Sequence, residues 1–319
     1  MKLSRRAVVL GAILGSLACA GPPPARPTAT AASRITDAPR PRVSAGTPVA
    51  TRSAPMPRPT PDPRSLQQRI DAYVDRSPST LGIVIHDPRQ GPLAAHLPTD
   101  RFPLGSLYKL FVMAGAFELA RDGALGLDEA LRTIDEYPFG EPPGGVPPAT
   151  TLSVLGAIQA MIAVSSNAAA LALIHRLGAD AVMRVPARLG LPGLEIGIAR
   201  GETSGHYRID AVGSALDLSR FFIAIDGEAL LGPTFDRRMI DVLLNQTIVD
   251  RLPAHLPRPV PVAHKTADLD GYTHDAGLVY LPGHPYAIAA LALGDSPIAG
   301  KVAIADLSRI AFDYFSAPN

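Results

Sequence analysis

The sequence predicts an α+β domain in which strands from both chain ends form one antiparallel sheet flanked by helices, with an all-helical subdomain inserted between them. Three observations carry this. β-Branched and apolar runs bounded by turn residues fall near 81–98 and again near 260–293. Between them lie segments dominated by strong helix formers, two of them apolar nearly all round. Helices segregated from the strands along the chain point to α+β rather than to alternating βαβ units.

The N-terminal fifth stands apart. Residues 1–6 are basic, and AVVLGAILGSL (7–17) is an apolar run too short to span a bilayer, which takes roughly 20 residues. Together they read as a secretory signal over 1–20. Ala18-Cys19-Ala20 leaves two exits open: cleavage after Ala20, or lipidation of Cys19 within an imperfect lipobox. Ser4-Arg5-Arg6 keeps twin-arginine export open as well. Residues 21–65 hold 12 of the 33 prolines and no aromatic residue, the composition of an extended linker. Residues 66–319 are the expected catalytic domain. Cys19 is the single cysteine, so no intrachain disulfide can form.

Charge divides the same way. Residues 1–65 carry 10 Lys+Arg against 2 Asp+Glu, whereas the rest carries 20 against 27. A net-negative domain without a basic cluster is a poor nucleic-acid binder. Membrane contact is expected only through an N-terminal lipid, and the domain is expected to act as a monomer.

Along the domain, SLQQRIDAYVDR (65–76) reads as an opening amphipathic helix, and LGIVIHD (81–87) as a strand turning through Asp87-Pro88 and Gln90-Gly91 into PLAAHLP (92–98). SLYKLFVMAGAFELARDG (106–123) is a helix with a glycine stop, and LDEALRT (127–133) a shorter one. The Pro/Gly stretch 137–150 is a loop that only its surroundings can order. TLSVLGAIQAMIAV (151–164) and AAALALIHRLG (168–178) are buried helices, and 190–212 reads as irregular. Two helices (212–225 and 233–247), three strands (260–266, 275–281 and 286–293) and a last amphipathic helix (about 298–315) complete the domain.

The chemistry is announced by lysine. Of 30 basic residues only four are lysine (Lys2, Lys109, Lys265 and Lys301). A lysine inside the apolar run FPLGSLYKLFVM (102–113) therefore asks for a reason. Ser106 and Lys109, three residues apart, share a helix face, and Ser106 falls at a helix N-terminus, where free N–H groups favour developing negative charge. A serine needs a base to become a nucleophile. Lysine can serve once desolvation or neighbouring charge lowers its pKa, which arginine cannot do. Alone, Ser-x-x-Lys is equally a surface lysine on a helix. Two further groups change the balance: Ser165-Ser166-Asn167 between the two apolar helices, and Lys265-Thr266-Ala267 at the end of a strand.

In this order the three groups resemble the penicillin-recognising serine hydrolases, most closely the class A β-lactamases and their relatives, which carry Ser-x-x-Lys, Ser-Asp-Asn and Lys-Thr-Gly. The resemblance spans 66–319 and implies the β-lactamase/transpeptidase-like fold. It implies Ser106 as acylated nucleophile, Lys109 as its base and Ser165 as proton relay to the leaving nitrogen. Asn167 would position the lysine or the substrate amide, and Lys265 and Thr266 would hold the substrate carboxylate. The N–H groups of Ser106 and Asp268 would form the oxyanion hole, with Tyr137 lining the entrance. The implied substrate is a β-lactam or a cell-wall peptide, and no cofactor is expected.

Three departures accompany the resemblance. Ser166 replaces an aspartate that braces a loop, Ala267 replaces a glycine beside the substrate strand, and the Glu-x-x-x-Asn that activates the deacylating water is missing. Glu195 and Glu202 are the candidate bases in GLEIGIARGETSGHYRID (193–210), yet neither has asparagine four residues on, and both read first as surface charge. β-Lactam hydrolysis is the leading activity. A D,D-peptidase-like or esterase relative with slow deacylation, and a non-enzymatic envelope binding protein, are the alternatives. His264, His274, Asp275 and His284 lie close in sequence but fit no metal-ligand spacing, so no metal is expected; His175 is expected to be a core histidine.

Overall fold

The computed structural model describes residues 64–317 apart from 135, 138, 139, 203, 204 and 258. The expected signal segment, Cys19 and the linker up to residue 63 lie outside the described residues.

The domain opens with α1 (Leu66–Val74), closed by a reciprocal cap. Gln68 N donates to Ser65 Oγ at 3.2 Å, and Ser65 N donates to Gln68 Oε1 at 2.9 Å. β1 (Thr80–Asp87) and β2 (Gly91–His96) form the first hairpin. β3 (Phe102–Pro103) and a 3-10 turn (Gly105–Tyr108) lead into α2 (Lys109–Arg121). Next come β4 (Ala130–Arg132), β5 (Thr151–Ser153), α3 (Val154–Ala163), α4 (Asn167–Leu177), α5 (Ala179–Met183) and α6 (Val185–Arg188). β6 (Glu195–Arg200) and β7 (Tyr207–Gly213) precede α7 (Ala215–Asp226) and α8 (Pro233–Leu243). β8 (Val262–Leu269), β9 (Tyr272–Val279), β10 (Tyr286–Leu293) and α9 (Pro297–Phe315) close the chain.

The main sheet runs β2-β1-β10-β9-β8, each pair antiparallel, so strands from the two chain ends are hydrogen-bonded neighbours. Period-2 alternation explains why β10 is apolar throughout. Ile288, Ala290 and Ala292 join Leu81, Ile83 and Ile85 in a core shared with α1 and α9. Ala287, Ala289 and Leu291 face the opposite core, with α2 and α7. Helix α2 is buried on all sides from Lys109 to Phe117, at about 1.5–3 kcal/mol for each large apolar side chain enclosed.

Two expectations fail. The helix expected over 127–133 is a strand: β4 pairs with β5, and Leu131 is buried between exposed Ala130 and Arg132. Helix propensity there yields to tertiary pairing. The stretch 190–212, expected to be irregular, holds the β6–β7 hairpin, with Ile196 and Ile198 facing the core. β3 adds a third strand to it, through Phe102↔Gly213 and Pro103↔Val212.

The segment before Ser106 is thereby tied to both sheets. Leu104 N donates to Ala211 O at 2.7 Å on the small sheet. On the main sheet, His274 of β9 donates from Nε2 to Pro103 O at 2.8 Å, while its Nδ1 accepts from Ala292 N at 3.2 Å. This pair of bonds requires the neutral imidazole. Burial, the largest influence, lowers the His274 pKa to about 4, although the Pro103 carbonyl pulls the other way. The unfolded chain binds this proton near pH 6.5 and the folded chain only near 4, so His274 withdraws about 3 kcal/mol of stability as pH falls through that window. Urea unfolding of the parent and of His274→Gln at pH 7 and pH 4.5 measures it. The parent should lose more stability than the variant over that interval, and equal losses would show that His274 does not titrate as described.

Candidate active site

Ser106 sits in the 3-10 turn, half-buried, one turn ahead of Lys109. The turn starts at Gly105 with φ +49°, a conformation glycine adopts without steric cost. Gly105 also packs so closely on β8 that a Cβ there would press on Leu269 and meet the Ala267 methyl. This contact sets the Ser106 turn against β8, the outermost strand of its sheet. The Ala267 methyl, 2% exposed, is enclosed beneath the turn.

The two motif lysines are 0% exposed and converge on one hydroxyl. Lys109 Nζ donates to Ser165 Oγ at 3.1 Å, and Lys265 Nζ reaches the same oxygen at 3.1 Å. Lys109 also donates to Ser165 O at 2.6 Å and Asn167 Oδ1 at 2.8 Å, and Lys265 to Thr266 O at 2.8 Å. Ser165 holds φ +59°, a left-handed backbone costly for a residue with a side chain. Its carbonyl is held there by Lys109. Desolvation, then the charge of Lys265, places the Lys109 pKa well below the ordinary lysine value, against an opposing pull from Glu141. Lys265 is lowered by burial to about 7, Asp275 and Asp268 working against the shift and Arg251 with it.

α4 begins at this point. Ser166 Oγ accepts from Ala169 N at 3.2 Å, capping the helix. The Pro/Gly loop docks on the same turn: Asn167 Nδ2 donates to Gly140 O at 2.6 Å, and Val146 N to Ser166 Oγ at 3.5 Å. Gly140 and Val146 are thus tied to the start of α4, as a stretch of this composition requires.

Arg251, which no sequence motif marks, underpins β8. Its side chain is 0% exposed. It donates from Nη1 to Ala267 O at 2.8 Å and His274 O at 2.9 Å, and from Nη2 to Asp268 Oδ2 at 2.5 Å. A guanidinium matches this fan of acceptors, and its fixed charge lies beside Asp268. Among the described residues Ser165, Asn167, Lys109 and Lys265 form one network, with Thr266 joined through its carbonyl.

Tyr137 is half-buried at the start of the loop, its hydroxyl pKa raised by burial and then by Asp210 of β7, and it lies near enough to Tyr108, the residue before Lys109, to raise that buried hydroxyl in turn. The two glutamates fall elsewhere. Glu195 is 71% exposed and pairs with Arg101 at 3.0 Å, and Glu202 is exposed where the chain leaves β6. Neither hydrogen-bonds a motif residue among the described residues. His264 bonds to Asp275 at 2.9 Å, Asp275 in turn accepting from Leu252 N at 3.1 Å, while His284 stacks on Phe315. His175 is not a core residue: it lies exposed on α4 against the Tyr207 ring. No group of three or more His, Cys, Asp or Glu that could hold a metal occurs among the described residues. Nor is any helix there long and apolar enough to cross a membrane.

Comparison with known proteins places this geometry. A β-lactamase from Streptomyces lavendulae is 27% identical over 270 residues, covering 77% of this chain and 86% of the relative. The structure of PBP-A superposes with a TM-score of 0.68 at 26% identity, over 78% of this chain and 95% of that one. A PBP-A variant, seen as an acyl-enzyme complex with penicillin G, superposes with a TM-score of 0.66 at 26% identity, over 78% and 96%. The model of the beta-lactamase enzyme family matches residues 65–315. The chain has the β-lactamase/transpeptidase-like fold and belongs to the beta-lactamase enzyme family, as a serine β-lactamase-like hydrolase.

Proposed function

We propose that this protein is an exported, class A-like serine β-lactamase that works through an acyl-enzyme on Ser106. The observation that carries the reading is the pair of buried lysines sharing the Ser165 hydroxyl, one of them, Lys109, a single turn after Ser106. Two cations cannot both keep their protons cheaply in a desolvated site, and an amine without its extra proton is a base.

Ser106 Oγ attacks the lactam carbonyl and gives its proton to Lys109. The C–N bond breaks, and the nitrogen takes the Ser165 proton, which Lys109 replaces through their 3.1 Å contact. The N–H groups of Ser106 and Asp268 hold the oxyanion, where one such donor is typically worth about 3 kcal/mol. The β-lactam's carboxylate lies against Lys265 and Thr266, beside the positive field of Arg251. The free edge of β8 offers main-chain partners to the acylamide side chain. Water then cleaves the ester, returning the proton to Ser106 and releasing the opened acid. Export by the N-terminal signal, with Cys19 as a lipid anchor, would put the enzyme where β-lactams enter the cell envelope.

A second reading is a D,D-peptidase-like or esterase relative that acylates well and deacylates slowly. It is favoured by the positions of Glu195 and Glu202, neither of which meets the site. The PBP-A variant seen as a penicillin G acyl-enzyme supports acylation in both readings.

Intact-protein mass spectrometry with excess benzylpenicillin tests the proposal. The parent should gain one covalent adduct on Ser106, and Ser106→Ala none. Lys109→Arg keeps the charge but lacks a usable base, so its acylation should slow by about 10²–10⁴-fold. An adduct on Ser106→Ala would refute the nucleophile. An adduct that clears in seconds while opened drug accumulates marks a lactamase, whereas one lasting hours marks the slow relative.

A further inference from the structure

The motif around Ser165 has no carboxylate, because Ser166 stands at its middle position. A carboxylate reaches the same place from the facing loop. Glu141 accepts, through Oε1, the backbone N–H of Ala168 in the first turn of α4. Its Oε2 is buried and has no hydrogen-bond partner among the described residues. The adjoining carbonyl of Gly140 takes the Nδ2 proton of Asn167 at 2.6 Å, which decides how that amide is turned. With nitrogen committed to the loop, Oδ1 faces Lys109 Nζ at 2.8 Å. Gly145 leaves the space this requires, since a Cβ there would overlap Glu141 Oε2.

We propose that Glu141 is a positioning residue of this site: from the loop, it supplies the carboxylate that holds Asn167 and the first turn of α4 against Lys109 and sets the charge that lysine feels. A carboxylate is favoured at a helix N-terminus, so the contact with Ala168 anchors loop and helix together. Among the described residues, few groups face Lys109. Lys265 comes from β8, Ser165 and Asn167 from the start of α4, and Glu141 from the loop; the Tyr108 ring, 5.9 Å away, belongs to the preceding turn. Tyr108 brings no compensating charge, and its hydroxyl is buried without a partner among the described residues. Glu141 is therefore the carboxylate set against Lys265 for control of the Lys109 proton. It keeps Lys109 basic enough to take a proton, while Lys265 and burial keep it neutral enough to be free.

The catalytic consequence rests on the acyl-enzyme reading above, but the electrostatic one does not. With only four lysines in the chain, 13Cε-lysine labelling of the full-length protein resolves the Lys109 titration by NMR, identified through its loss in Lys109→Met. In Glu141→Gln, nearly the same shape without the charge, Lys109 should titrate about one pH unit lower than in the parent. Gly145→Ala should move it the same way by displacing the carboxylate, with the overall charge unchanged. Under the acyl-enzyme reading, the acid limb of acylation by benzylpenicillin moves to lower pH in parallel, and the rate falls. An unchanged Lys109 titration in folded Glu141→Gln, or an upward one, overturns the proposal. A downward shift in a protein whose parent takes no penicillin adduct upholds Glu141 and refutes the acyl-enzyme reading instead.

Discussion

Two ammonium groups brought to one serine hydroxyl and shut off from bulk solvent are the constraint on which the site depends. Lys109 and Lys265 each lie 3.1 Å from Ser165 Oγ and both are 0% exposed. In water, two lysines at this separation would simply stay charged. Enclosed together they compete, and the molecule supplies the counter-charges that settle the outcome. Glu141 opposes the loss of the Lys109 proton, while Asp275 and Asp268 do the same for Lys265 against Arg251. Lys109 and Ser165 are already within hydrogen-bond reach of each other, so a proton passing between them would need no reorganisation of solvent.

The fold holds that arrangement from three directions. Lys265 is fixed by β8, whose end is clamped through the Ala267 and Asp268 contacts to buried Arg251. Lys109 is fixed by a helix enclosed on every side, and its preceding turn is tied through Pro103 to His274 and through Leu104 to the small sheet. Ser165 is held in a left-handed conformation between two apolar helices whose own stability comes from burial. Such a backbone persists only where its surroundings over-determine it, and here the Lys109 bond to the Ser165 carbonyl is one of those determinants. Catalytic geometry and structural geometry are therefore the same set of contacts at this point.

Much of this was legible in the sequence, for physical reasons. The scarcity of lysine made Lys109 and Lys265 conspicuous, and strands buried on both faces left the apolar runs of β1 and β10. The serine-rich break between α3 and α4 was visible because polar residues rarely interrupt such apolar surroundings without purpose. What escaped notice depends on long-range partners. LDEALRT carries helix formers but is drawn into a strand by β5, whose Leu152 pairs with Leu131. The β6–β7 hairpin hides its period-2 signal, Ile196 with Ile198 and Ile209 with Ala211, among glycines and charges. Arg251 gains meaning only from carbonyls at 267 and 274, and Glu141 only from an N–H at 168. Both sit in segments whose composition reads as loop.

The central claim is that enclosure leaves a lysine deprotonated at neutral pH to serve Ser106. The pre-steady-state rate of acylation by a chromogenic cephalosporin, measured from pH 5 to pH 10, tests it directly. With Lys109 held far below an ordinary lysine by burial and by the charge of Lys265, the acid limb of the rate should end well short of pH 10. A rate still rising tenfold per unit towards pH 10, following an unperturbed lysine at ~10.4, would contradict it.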